Sequence, residues 1–132
     1  MTDITALAGK ARDAFDRIEE AYEFMLAYAA QGRKREVEEG GGESQIRQYL
    51  RRFHAALDSL DEVLAEGFGP AEGAPFVARF RADLETTRAV IGILLGQPSI
   101  TSDMIDNTNG LIAMRAFLTD LFFVDQAVLP PR

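Results

Sequence analysis

Residues 44–66 read SQIRQYLRRFHAALDSLDEVLAE, and the apolar members Ile46, Leu50, Phe53, Leu57, Leu60 and Leu64 recur by four and three without exception. That interval returns a side chain to one face of an α-helix, so the stretch predicts an amphipathic helix over 44–66 with a buried stripe and a solvated back. Ser44 suits its N-cap. Gly67-Phe68-Gly69-Pro70 supplies its stop.

The same period extends in both directions. Upstream, Ile4, Ala8, Ala11, Phe15, Ile18, Tyr22, Met25 and Ala29 form a second stripe, with charged residues such as Lys10, Asp13, Asp16, Glu20 and Glu23 between them. A helix over 2–32 is expected, with Thr2 or Asp3 as its N-cap. Between the two stripes, residues 33–43 (RKREVEEGGGE) combine a charge run with three glycines, which predicts a mobile loop. Downstream, Pro75 suits a first helical turn. Val77, Phe80, Leu84, Thr87, Ile91 and Leu94 then predict a helix over 75–96, closed by Gly96-Gln97-Pro98. A fourth series, Ile100, Met104, Asn107, Leu111, Met114, Leu118, Leu121 and Val128, predicts a helix over 99–128, stopped by Pro130-Pro131.

No sustained period-two run competes. The expected fold is all-α, one domain over 1–132, with four segments and short links favouring an antiparallel, up-down-up-down four-helix bundle.

Composition narrows the function. A chain of 132 residues can bury roughly 68–70% of its unfolded surface, so its core needs no disulfide or metal. With no Cys, thiol nucleophiles, Cys-type zinc sites and Fe–S clusters are excluded. The opening Met1-Thr2-Asp3-Ile4 lacks the basic and apolar regions of a signal peptide, so a cytoplasmic location is expected. The longest uncharged stretch, 89–102, is broken by Gln97-Pro98 and falls short of the ~20 apolar residues a spanning helix needs. A net charge of −7 opposes approach to nucleic acid or anionic lipid. No nucleic-acid or membrane partner is expected.

The fourth segment is unusual in both halves. Residues 111–124, LIAMRAFLTDLFFV, carry only Arg115, Thr119 and Asp120 as polar positions, more apolar surface than an edge helix of one bundle requires. A homodimer burying Met114, Phe117, Leu118, Leu121, Phe122 and Val124 is expected, the alternative being a helix at the centre of one chain. Residues 102–110, SDMIDNTNG, are weak helix formers around Met104 and Ile105. They predict a break or kink near Asn107–Gly110 with Gly110 as hinge. Two alternatives are a buried Asn107 that fixes register and a ligand site around Met104, Asn107 and Leu111.

Known chemistries find little support. Carboxylate-bridged di-iron bundles need Glu-x-x-His pairs, and the single His54 follows Leu50, Arg51, Arg52 and Phe53. The same histidine lacks a phosphotransfer motif, and the serines that could pair with it (44, 59, 99, 102) lie in no nucleophile elbow. Ser44 and Ser99 read as helix caps. The carboxylate pairs Glu19-Glu20, Glu38-Glu39 and Asp61-Glu62 fall on solvated faces, where pKa values have no reason to shift. The triple glycine lacks the Lys-Ser/Thr of a phosphate-binding loop. Arg47, Arg51 and Arg52 are expected to pair with Glu36, Glu38, Glu39 and Glu43, with docking of an acidic partner as the functional alternative.

The sequence therefore predicts a non-catalytic bundle without cofactors that binds another protein as an adaptor, assembly factor or regulator. The alternative is a binder of a small apolar ligand between the helices. A lesser alternative is an acidic mimic of nucleic acid.

Overall fold

A computed structural model describes all residues except Met1, Thr2, Glu39, Phe68 and Arg132. The chain forms α1 (Ile4–Ala29), α2 (Gln45–Glu66), α3 (Ala74–Leu95), α4 (Ser102–Asn109) and α5 (Ile112–Phe123). A 3₁₀ turn, Ala71–Gly73, leads into α3, and a π-helical turn, Val124–Val128, prolongs α5. Among the described residues there is no strand. The fold is an all-α bundle.

Local chemistry sets the boundaries. Asp3 caps α1 by accepting from the Thr5 N–H at 2.9 Å, while Thr2, the other candidate cap, lies outside the described residues. Ser44 caps α2 through the Arg47 N–H at 3.3 Å. Gly67 ends α2 at φ +76°, a conformation that strains any residue with a Cβ.

Paired side chains give the helix directions. Lys10 meets Glu62 at 2.8 Å and the Phe24 ring stacks on Tyr49 at 4.3 Å, so α2 runs antiparallel to α1. Asp58–Arg88 (2.7 Å) and Asp61–Arg81 (3.2 Å) do the same for α2 and α3, as Phe76–Phe123 and Phe80–Phe117 do for α3 and α5. Helix α4 packs on α1 and α5 on α3, so the last segment closes the bundle against both. Phe15, Phe53, Phe80 and Phe117, one from each side, fill the middle of the core.

One expectation is corrected: the uninterrupted helix over 99–128 gives way to two helices separated at Gly110-Leu111 and followed by the π turn, the break falling where the weak helix formers of 102–110 predict it. The connection over 33–43 is hydrogen-bonded to the bundle at Arg33 and Glu36. Glu36 accepts from Ser44 Oγ (2.6 Å), from Arg47 Nη2 (2.7 Å) and from the Ile100 N–H (2.7 Å). Its own N–H donates to Ser99 Oγ at 2.9 Å. Further back, Arg33 and Ser102 exchange two hydrogen bonds, Arg33 N–H to Ser102 Oγ (2.8 Å) and Ser102 N–H to Arg33 O (2.9 Å).

Candidate binding cleft

The six residues expected at a dimer interface do not form one surface. Met114, Phe117, Leu118, Leu121 and Val124 are buried within the chain, and only Phe122 is exposed. The apolar excess of the last segment is thus mostly consumed by its central position, where α3 and the π turn cover it. What remains outside is Leu111, Ile112, Phe122 and Phe123.

The arginine trio separates as well. Arg47 is enclosed: its Nη1 donates to Leu95 O (2.7 Å) and its Nη2 to Gln97 O (2.9 Å), besides its fork onto Glu36. It holds α2, the 33–43 connection and the end of α3 together and is unavailable for docking. Arg51 pairs with Glu43 at 2.7 Å, and Arg52 lies over the Tyr49 ring at 5.0 Å. His54 is half-buried, 3.7 Å from Asp58. Ser99 serves the Glu36 amide, and the cap of α4 is Thr101, which accepts from the Met104 N–H at 3.1 Å.

The ligand region named from sequence does coincide with a cleft. A depression of about 600 Å³ lies between the C-terminal half of α1 and the α4–α5 break. Helix α1 contributes Tyr22, Leu26 and Ala29, spaced by four and three and therefore on one face. Across from them stand Asp106, Asn107, Asn109, Leu111 and Arg115. The break builds this wall. The Gly110 and Leu111 amides bond back to Asp106 O and Thr108 O, Leu111 then swings to an extended conformation (φ −63°, ψ 136°), and helix resumes at Ile112.

Asn109 distinguishes the cleft from an ordinary surface depression. The residue is 7% exposed, and neither Nδ2 nor Oδ1 has a hydrogen-bond partner among the described residues. A buried amide left in that condition costs about 1–3 kcal/mol per unsatisfied group. Asn107, expected on the buried stripe, is exposed. Met104 is half-buried and packs against the core. The buried side of α4 is Ser102, Ile105, Thr108 and Asn109, at spacings of three and four. That spacing is visible in the sequence, but a period carried unbroken through Gly110 selects Asn107 instead.

A second polar feature was not legible. Asp83 of α3 is buried and faces Asp120 of α5. Burial, then the hydrogen bond and charge of Asp83, push Asp120 up to about 7 against the pull of Arg79. The sequence places acids on solvated faces, whereas these two, 37 positions apart, meet only through the α3–α5 packing.

No helix is long and apolar enough to cross a membrane, among the described residues. Neither a family model, nor a curated protein, nor a solved structure matches this chain.

Proposed function

We propose that this chain is a non-catalytic binding protein that recognises another protein through the cleft between α1 and the α4–α5 break. The observation that carries this is Asn109, a buried carboxamide with both polar atoms unpartnered among the described residues, beside the exposed side chains Leu26 and Leu111. Partner recognition commonly combines such an apolar contact with a few placed polar groups. The mixed lining of the cleft, with Asp106 and Arg115 on its rim, suits a polar segment better than the wholly apolar ligand expected from sequence.

A second reading, a small polar molecule in the same cleft, is supported by its volume of about 600 Å³, within the ~300–1,000 Å³ range of small-molecule sites. A photo-crosslinking amino acid at position 111, with position 85 on the exposed face of α3 as control, separates the two in cells expressing the full chain. Protein adducts at 111 and none at 85, lost on Asn109→Ala, are expected. Retention of a small organic mass by the purified protein in native mass spectrometry, without protein adducts, replaces the first reading by the second. Adducts made only of a second copy of the chain identify the partner as a homodimer.

A further inference from the structure

Two rows of uncharged residues run along the outward side of the α3–α5 pair. On α3, Ala78, Ala82, Thr86, Ala89 and Ile93 are exposed and spaced by four and three, so they share one face. The charges of this helix fall elsewhere. Arg81, Glu85 and Arg88, again spaced by four and three, take the side turned to α2, where Arg81 and Arg88 meet Asp61 and Asp58. Arg79 lies back on Asp83 at 3.2 Å in the seam to α5, beside Asp120. On α5, Ile112, Thr119 and Phe123 are exposed at helical spacing, with the half-buried Ala116 between them, whereas Arg115 lines the cleft to α1. Three members of the two rows are large and apolar: Ile93 is 65% exposed, Ile112 85% and Phe123 53%.

This face can be covered without stranding a polar group. Its two hydroxyls already donate inside their own helices, Thr86 Oγ1 to Ala82 O at 3.1 Å and Thr119 Oγ1 to Arg115 O at 2.7 Å. Apolar surface laid over them leaves both satisfied. Its size also suits an interface. At 22 and 12 residues, α3 and α5 are about 33 Å and about 18 Å long, and each is about 10 Å across. Together they offer roughly 500 Å² in flat projection. The relief of the side chains brings the accessible area to roughly the 600 Å² per partner at which specific interfaces begin.

The occupant follows from charge and symmetry. The chain carries a net charge of −7, so two copies repel except where the surfaces brought together are uncharged. A two-fold contact sets a face against itself, and these rows meet themselves without a like-charge conflict. Position fits the same symmetry. Phe123 packs on Phe76 near the start of α3, Ile93 stands near its end, and the point midway between 76 and 93 is the middle of the helix, Ala74–Leu95. Laid antiparallel on itself, α3 brings Ile93 of each copy level with Phe123 of the other. The small side chains then lie at the crossing, where helices approach to about 8–10 Å. We propose that the outward α3–α5 face, with Ile93, Ile112 and Phe123 as its apolar anchors, docks a second copy of this chain in an antiparallel two-fold dimer. This interface uses none of the six residues expected from sequence, and it leaves the cleft against α1 open.

Sedimentation velocity of the full chain over about 1–100 µM tests this. The mass is expected to rise reversibly from 14.6 kDa toward twice that value. Thr86 lies beside the two-fold axis, about 5 Å along the helix from Thr86 of the second copy. Thr86→Glu therefore sets two like charges together, at an exposed position where glutamate is the better helix former, and is expected to weaken association by about tenfold or more. Mixing Thr86→Glu with Thr86→Lys chains should restore it. Ala55→Glu adds the same charge at an exposed position of α2 and should leave association unchanged. Ile93→Gln removes apolar contact without adding charge and should weaken association several-fold, with circular dichroism reporting that each variant keeps its helices. A chain that stays at 14.6 kDa throughout overturns the proposal. So does a dimer that Thr86→Glu leaves intact, that Ala55→Glu weakens equally, or that the mixture fails to restore. Adducts of a different protein to a photo-crosslinking residue at position 86, formed in cells, assign the face to another occupant and overturn it as well.

Discussion

Two buried polar places in this bundle stand in opposite conditions. At the Glu36–Arg47 cluster, each partner is used from several sides: three donors converge on the Glu36 carboxylate, and the Arg47 guanidinium reaches two backbone carbonyls besides. At the α3–α5 contact, two carboxylates face each other with Arg79 paired to Asp83 at 3.2 Å, and among the described residues neither Asp120 Oδ2 nor the buried Thr87 hydroxyl, one turn along from Asp83, has a hydrogen-bond partner. The first place ties four stretches of chain in one arrangement. The second leaves polar groups that weaken a contact otherwise held by phenylalanines. Satisfied networks rigidify a core, and half-satisfied ones tax it.

The largest effect is expected from breaking the first place. Arg47→Met leaves Glu36 enclosed without its counter-charge, and removing one partner of such a pair costs about 3–5 kcal/mol. Urea denaturation followed by circular dichroism measures this, and a loss below about 1 kcal/mol would show the cluster to be as weak as a surface ion pair.

Acidity sharpens the comparison, because the two places respond with opposite sign. Burial alone would raise the Glu36 pKa, but the hydrogen bonds from Arg47, Ser44 and the Ile100 N–H outweigh it and leave the pKa lowered. Its contribution is therefore present above the ordinary 4.5 and lost as pH falls. Asp120 is raised from 3.8 to about 7, so its contribution is whole below 3.8 and drains away as pH rises through about 7. The urea midpoint should decline between those values in the native chain. It should lose that decline in Asp120→Asn. A slope that survives the substitution assigns the titration to another group.

The smallest change concerns Thr87. Replacing its unpaired hydroxyl by a methyl in Thr87→Val should stabilise the fold by about 1 kcal/mol. Destabilisation measured by the same titration would mean that the hydroxyl has a partner such as a bound water.

Much of the fold is legible in the chain because the helices obey a local rule. Residues 46–64 keep their stripe without exception, and all six named positions are buried. Legibility fails where a long-range term decides. The period of the last segment continues on paper through Gly110, but the chain breaks there, so the phase shifts and Asn109 replaces Asn107 inside. The arginine trio shows the same limit: pairing with Glu36 and Glu43 follows from charge and proximity, whereas the two carbonyl partners of Arg47 come from the far end of α3. Asp83 and Asp120 look like any solvated acids until tertiary packing sets them face to face.

The fastening of α1 to residues 100–130 has a consequence for birth on the ribosome. Arg12 binds Asp125 and the Pro130 carbonyl, and the Tyr28 hydroxyl binds the Ile100 carbonyl. The wall that covers this side of α1 is thus synthesised after α2 and α3. At about 5–20 residues per second, the first helix waits several seconds with only α2 against it. During that interval its uncovered face is a surface that a chaperone or a neighbouring nascent chain can occupy before α4 and α5 arrive.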